Sequence, residues 1–282
     1  MIKYLAPAKI NLVLEVLGKR DDGYHEIRSL VQAIDLCDTL TFESAETISL
    51  KCDVASLESP DNLVIKAGEL LRQRGGRGKG ARIKLQKRIP WAAGLGGGSS
   101  DAAATLLALN ELWGLKHTTQ DLIGVAAKLG SDVPFFIHRR AAVVEGRGEK
   151  VEPVQVSVRS WFVLLIPDLP KMPDKTRRLY ESLDKQHFTN GLYSEAALKC
   201  WAKDMPIAPS LLFNVFDKVA FEAFPGLEVY WKRLEEAGAK DIHLAGAGPS
   251  LFAPADSDSE AKEIQKRLRK QKLQAYAVST II

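Results

Sequence analysis

Residues 90–101 read Pro90-Trp91-Ala92-Ala93-Gly94-Leu95-Gly96-Gly97-Gly98-Ser99-Ser100-Asp101, and an alanine-rich helical run follows directly. Four glycines in five positions let the backbone approach a ligand closely and adopt positive φ. The run beyond predicts a helix over Ala102 to Trp113, with Gly114 as its C′ residue. A helix start supplies unpaired N–H groups and the positive end of the macrodipole. Loop and helix together predict an anion site, most naturally for phosphate. Ser99 and Ser100 add hydroxyls for phosphate oxygens or a metal ion. A turn that merely capped the helix would need one or two glycines, not four beside two serines.

Several phosphate-binding classes are excluded. GxxxxGK[ST] is absent, and the nearest imitation, Gly75 to Gly80, lacks the spacing and the Ser/Thr. The HRD and DFG segments of protein kinases are absent as well. A dinucleotide fingerprint would follow the first strand of a βαβ unit and precede an acid about 20 residues on. Here the preceding strand comes late, and no acid-tipped strand follows.

Outward from the loop, alternating residues predict strands at Ala8 to Val16, Arg28 to Ile34, Asp38 to Phe42, Ile48 to Lys51 and Ala81 to Lys87. Helical spacing predicts a helix over 62–74, N-capped by Asp61 or Asn62, and another from Thr118, with a capping box closed by Asp121, to Gly130. Residues 131–137 predict a loop entering a strand, continued at Ala141 to Glu145. Trp161 to Ile166, Asp241 to Leu244, Leu251 to Ala253 and 273–279 read as strands. Residues 176–184, 210–223, 226–237 and 258–270 read as helices. Strands with interspersed helices in both halves, without strict alternation, predict an α+β fold.

The chain has 282 residues, 46% of them hydrophobic, and 39 basic against 35 acidic residues, for a net charge of +4. At roughly 100–200 residues per domain this is one large domain or two modest ones. The mild charge does not make the basic footprint of a nucleic-acid binder. Cys37, Cys52 and Cys200 form no CxxC pair, so reduced thiols in a cytoplasmic protein are expected. No apolar run approaches the ~18 residues of a membrane span, and the N-terminus has no secretory h-region.

The glycine loop resembles the nucleotide loop of the GHMP kinases. Three further segments extend the resemblance in the family order: Pro7-Ala8-Lys9-Ile10-Asn11-Leu12 with Gly23-Tyr24-His25-Glu26, then Gly130-Ser131-Asp132-Val133-Pro134-Phe135-Phe136, then Gly246-Ala247-Gly248-Pro249-Ser250. The four span nearly the whole chain. The departures are Trp91 where a small or aliphatic residue is common, Ala247 where Ser or Thr is frequent, and the basic loop 75–80. The resemblance implies a two-domain fold: an N-terminal nucleotide-binding α+β domain over 1–155 and a C-terminal ferredoxin-like α/β domain over 156–282, with the site in the cleft between them. It also implies ATP and Mg²⁺. The acceptor it points to is the 2-hydroxyl of a cytidine diphosphate-linked methylerythritol, a small-molecule substrate of the non-mevalonate isoprenoid route. Neither nucleic acid nor membrane is an expected partner, and the expected state is a monomer or weak homodimer.

The implied roles fall on particular residues. Asp132 is the candidate base; from spacing alone it also reads as a turn aspartate. Lys9 would lie near it, keep it ionised and stabilise developing negative charge. Asn11, on the same strand face as Lys9, would bond the erythritol part. Tyr24 and His25 would form the cytidine site, with Tyr180 either closing the other face of the base or packing its own helix. ATP would lie on Gly94, Leu95, Gly96, Gly97, Gly98, Ser99, Ser100, Asp101, Ala102, Ala103 and Ala104. Gly246, Gly248 and Ser250 would line the site near the phosphates or buttress the first loop. The metal ligands are not evident. Two other functions compete: a GHMP kinase for a different small alcohol, such as homoserine or mevalonate, and a non-catalytic nucleotide binder. The first has no need of Tyr24-His25, and the second predicts loss of Lys9 or Asp132.

Overall fold

A computed structural model describes residues 1–170 and 172–282. The strands are β1 (Ile2–Lys19), β2 (His25–Ala45), β3 (Ile48–Cys52), β4 (Gly80–Gln86), β5 (Ala141–Gly146), β6 (Lys150–Val154), β7 (Trp161–Ile166), β8 (Phe213–Asn214), β9 (His243–Leu244), β10 (Leu251–Ala255) and β11 (Gln274–Ser279). The helices are α1 (Leu63–Gln73), α2 (Gly97–Leu112), α3 (Thr119–Ala126), α4 (Val133–His138), α5 (Lys175–Glu181), α6 (Leu192–Trp201), α7 (Ala220–Ala223), α8 (Leu227–Glu236) and α9 (Asp258–Lys270). The chain divides into two compact units. One holds residues 1–8, 36–91 and 96–139; the other holds 9–35, 92–95 and 140–282. The division is not a cut at one position, because β5 pairs with residues 27–32 of β2 and carries β6 into the second unit.

In the first unit, β4 pairs antiparallel with residues 39–45 of β2 and parallel with β3. The alternation expected of β4 is present: Ala81, Ile83 and Leu85 are buried while Arg82, Lys84 and Gln86 are exposed. α1 starts at Asn62, whose side chain accepts a hydrogen bond from Val64 N–H, and it buries Val64, Ala67 and Leu71. Thr118 and Asp121 form the expected reciprocal capping box at α3.

Residues 133–138 form α4, not the expected strand. Branched and aromatic side chains favour a strand as a local preference, but Pro134 in the first turn of a helix gives up no hydrogen bond. Val133, Phe135, Phe136 and Ile137 are all buried, so helical packing in this unit overrides that preference.

The second unit contains β5, β6, β8 and the adjoining parts of β1 and β2, together with a four-stranded sheet in the order β11-β7-β10-β9. α9 packs on that sheet. Its apolar core includes Leu14, Val163, Leu165, Phe216, Leu251 and Leu268. Complete burial of such a side chain stabilises by about 1.5–3 kcal/mol.

The helix expected over 210–223 is broken up. Residues Phe213–Asn214 pair in parallel with Val13 and Leu14, and a 3₁₀ segment, Val215–Val219, leads into α7. Asn214 explains the break. Its side chain accepts from Phe216 N–H at 3.0 Å and donates to the carbonyls of Leu244 and Gly246, both at 2.8 Å. α6 had no counterpart in the sequence reading.

Asn214 is buried, so Asn214→Ala strands two carbonyls and one N–H. A loss of about 3 kcal/mol is expected, since each unsatisfied buried group costs about 1–3 kcal/mol. Urea unfolding with an unchanged m-value would measure it; a loss under ~1 kcal/mol would mean these groups find other partners.

Candidate active site

The expected site residues fall in both units, and each set is best built separately. In the second unit, Lys9 sits on β1 with its backbone N–H donating to Leu95 O at 3.0 Å. Its ammonium donates to Asn11 Oδ1 at 2.5 Å, Asn11 Nδ2 donates to Ser29 Oγ at 2.8 Å, and Ser29 Oγ donates to Val13 O at 2.6 Å. All three side chains are buried. Both ends of the Asn11 amide are therefore engaged in aiming Lys9. Ser29 escaped the sequence reading because its partner lies 18 residues away on another strand.

Two glycine segments adjoin Lys9. Gly94 has φ +86°, and a Cβ there would run into the carbonyl oxygen of Ala245. Gly246 has φ +59°, and a Cβ there would stand 2.9 Å from Lys9 Nζ and 3.0 Å from Gly94 O. Both positions demand glycine for backbone conformation and for space. Gly248, at φ +58°, donates its N–H to Ala245 O at 3.0 Å. The Ser250 hydroxyl is fully buried and without a partner among the described residues, while its carbonyl accepts from Ala245 N–H at 2.7 Å.

The aromatic residues lie in the same unit. His25 stacks on Tyr180, with centroids 5.0 Å apart and planes 17° from parallel, and Phe188 meets it edge-on. Tyr180 thus covers the imidazole itself, leaving no room for a third ring between the two. Burial, reinforced by Lys19, lowers the His25 pKa and favours the neutral ring. A neutral imidazole donates at one nitrogen and accepts at the other. Tyr24 is 57% exposed, with the Arg147 guanidinium 4.7 Å from its ring centroid.

In the first unit, α2 begins at Gly97, five residues earlier than expected, so Gly97, Gly98, Ser99 and Ser100 form its first turn. Gly96 is the N-cap at φ +72° and offers no side chain to the turn's N–H groups. Ser100 Oγ is buried and has no partner among the described residues. Glycine backbone, open N–H groups and an orphaned hydroxyl fit a phosphate-bearing ligand.

Asp101 faces inward. Lys87 donates to it at 2.8 Å and also bonds Asp38, which accepts from the backbone N–H groups of Arg88 and Ile89. A Cβ at Gly97 would lie 3.2 Å from Lys87 Nζ, so this ion cluster sits beneath the glycine turn. Burial pushes the Asp101 carboxyl up to about 7 against the opposing pull of Lys87. Burial also works against the Lys87 ammonium, but Asp101 and Asp38 outweigh it and hold its pKa above the usual value. Ala102, Ala103 and Ala104 are buried along α2. Asp132 immediately precedes α4, which packs on α2; its carboxylate is exposed and caps no helix N–H.

Among the described residues, no three His, Cys, Asp or Glu side chains gather as a metal-binding group. Among the same residues, no helix is long and apolar enough to cross a membrane.

Residues 62–140 match the GHMP kinases N terminal domain, and residues 194–273 match the GHMP kinases C terminal domain. A 4-diphosphocytidyl-2-C-methyl-D-erythritol kinase of Dehalococcoides mccartyi is 46% identical over 100% of this chain and 99% of its own. One from Thermodesulfovibrio yellowstonii is 39% identical over 94% of each. A crystal structure of 4-(cytidine 5'-diphospho)-2C-methyl-D-erythritol kinase superposes with a TM-score of 0.85, at 34% identity and 99% coverage of both chains.

The Asp101 carboxyl is raised in the folded state, so its contribution to stability is present at low pH and is lost as pH rises through about 7. Between pH 6 and 8 that loss is roughly 1 kcal/mol. Asp101→Asn is expected to remove this slope from the urea midpoint; identical slopes in both proteins would refute the assignment.

Proposed function

The chain belongs to the 4-diphosphocytidyl-2-C-methyl-D-erythritol kinase family of the GHMP kinases, and on that footing we propose that it phosphorylates the 2-hydroxyl of 4-diphosphocytidyl-2-C-methyl-D-erythritol with ATP, yielding the 2-phosphate and ADP. In this reading it serves the non-mevalonate route to isoprenoid precursors. The observation that carries the catalytic part is the Lys9–Asn11–Ser29 relay. It holds a buried ammonium beside Gly246, where a Cβ would stand 2.9 Å from it.

ATP supplies the phosphoryl group, and Mg²⁺ neutralises phosphate oxygens during transfer. This chain's residues do the rest. Asp132 takes the hydroxyl proton as the new oxygen–phosphorus bond forms and the bond to the ADP oxygen breaks. Lys9 stabilises the negative charge that develops on the transferring oxygens. The amides of Gly94 to Ser100 hold the triphosphate, with the Ser100 hydroxyl available to a phosphate oxygen or the metal. Asp101, Ala102, Ala103 and Ala104 contribute through the backbone of the α2 start, since their side chains face inward. Gly246, Gly248 and Ser250 complete the phosphate-side wall.

Cytosine recognition falls to the edge of His25 and the exposed ring of Tyr24. Base–aromatic stacking is worth about 1–3 kcal/mol. Tyr180 then acts by holding the imidazole in place, and Asn11 meets the erythritol part while aiming Lys9. We keep residues 1–155 and 156–282 as the two domains of this reading, each containing one family match. In this reading the enzyme is cytoplasmic and monomeric or weakly dimeric, and a net charge of only +4 gives no reason to add a nucleic-acid partner.

A kinase for another small alcohol is the competing reading, favoured by nothing in the aromatic cluster. ATP turnover with Mg²⁺ and a panel of 4-diphosphocytidyl-2-C-methyl-D-erythritol, homoserine, mevalonate and phosphomevalonate separates the two. Turnover with the first alone is expected; turnover with another alcohol instead would overturn the cytidine assignment. Asp132→Asn should abolish transfer and leave nucleotide binding largely intact. Near-normal turnover in that variant would remove Asp132 from its role.

A further inference from the structure

We propose that Lys175 is a second cation of the phosphate cradle, tying residues 92–95 to the 245–250 turn through their carbonyls and lending its charge to a bound triphosphate. The proposal rests on the phosphotransfer reading above.

Lys175 opens α5, directly after Asp174 in a left-handed conformation. Its ammonium donates to Ala92 O at 2.9 Å and also to Gly248 O. One acceptor belongs to each glycine-bearing segment, so one side chain links both. Neither acceptor carries a full charge. An ammonium has three donors, and these two bonds leave one for a ligand.

The charge environment points the same way. Residues 92–95 and 245–250 carry no ionisable side chain. On its own helix, Asp174, Arg177 and Arg178 are exposed. Among the described residues, the charged group on a packed element whose field reaches Lys175 is Lys9, of like sign. Burial and Lys9 lower the Lys175 ammonium to about 8. Other lysines of the chain are paired with acids, among them Lys87 with Asp38 and Asp101, and Lys199 with Glu195. Here two ammonium groups bond neutral oxygens, Lys9 that of Asn11 and Lys175 those of Ala92 and Gly248. Like charges held together at a glycine-lined surface are uncompensated until an anion arrives. The sequence reading did not single out Lys175, because its partners lie 83 and 73 residues away.

An anion bound at Lys175 would restore its ordinary basicity, so nucleotide binding near pH 8 must draw in a proton. The test is calorimetric titration of Mg²⁺ with the non-hydrolysable analogue adenylyl imidodiphosphate, at pH 7 and pH 8, in buffers of different ionisation enthalpy. Wild type should take up about half a proton at pH 8 and about a tenth at pH 7. Lys175→Arg keeps the charge at both pH values, so it should bind within a few-fold of wild type and lose the uptake. Lys175→Met should lose the uptake and bind on the order of 10–100-fold more weakly. Equal uptake in wild type and Lys175→Arg would overturn the proposal, leaving Lys175 a purely structural tie. No analogue binding by folded wild type would overturn the phosphotransfer reading, and this proposal with it.

Discussion

The site depends on a backbone-to-backbone approach too close for any side chain. The carbonyl of Ala245 occupies the space a Cβ would need at Gly94, and Gly246 is hemmed by Lys9 Nζ and Gly94 O. Both residues have positive φ, which glycine adopts at no steric cost. Asn214 holds the second segment through two of its carbonyl neighbours, and Lys9 N–H holds the first through Leu95 O. The geometry is thus set by hydrogen bonds from β1 and from the residue that ends β8, and the loops themselves contribute only the freedom to comply. A pre-set arrangement of this kind avoids reorganisation at the moment of reaction, which is where electrostatic catalysis gains most.

Two kinds of lysine serve the glycine loops, and their settings differ in sign. Lys87 is enclosed by Asp38 and Asp101 beneath the first turn of α2, so its charge is spent internally. A buried ion cluster of this type is weak evidence for net stability, because desolvation offsets the Coulombic gain. Its evident consequence is positional: it fixes the start of α2 to the end of β4 and to β2. Lys9 is aimed instead by a neutral amide, which directs the ammonium without cancelling its charge. A carboxylate in place of Asn11 would have offset the Lys9 charge.

The aromatic cluster divides labour in a similar way. His25 is stacked under Tyr180 and edged by Phe188, while its chain neighbour Tyr24 is exposed. Burial keeps the imidazole neutral and so able to donate and accept at once. A charged ring would offer donors alone. Tyr24 lies in the bend before β2, while His25 is the first residue of that strand, so the two rings take different settings.

Local physics carried much of the reading. The caps at Asn62 and Thr118, the alternation of β4 and the glycine after α2 each depend on a few neighbouring residues, and each stands where it was expected, although α2 itself begins five residues early, within the glycine run. What depended on distant partners was not legible. Residues 133–138 carry strand-like side chains yet pack as a helix, because burial on all sides outweighs a local preference. Residues 213–214 were drawn out of a helical pattern by pairing with a strand 200 residues earlier. Ser29, Lys87 and Lys175 meet their partners across 14 to 83 residues of chain. The sequence by itself determined which backbone could bend around phosphate, since φ freedom and helix ends are properties of a residue and its neighbours. Only the tertiary structure decided which charges face that backbone, because a side chain's field depends on where folding puts its partners.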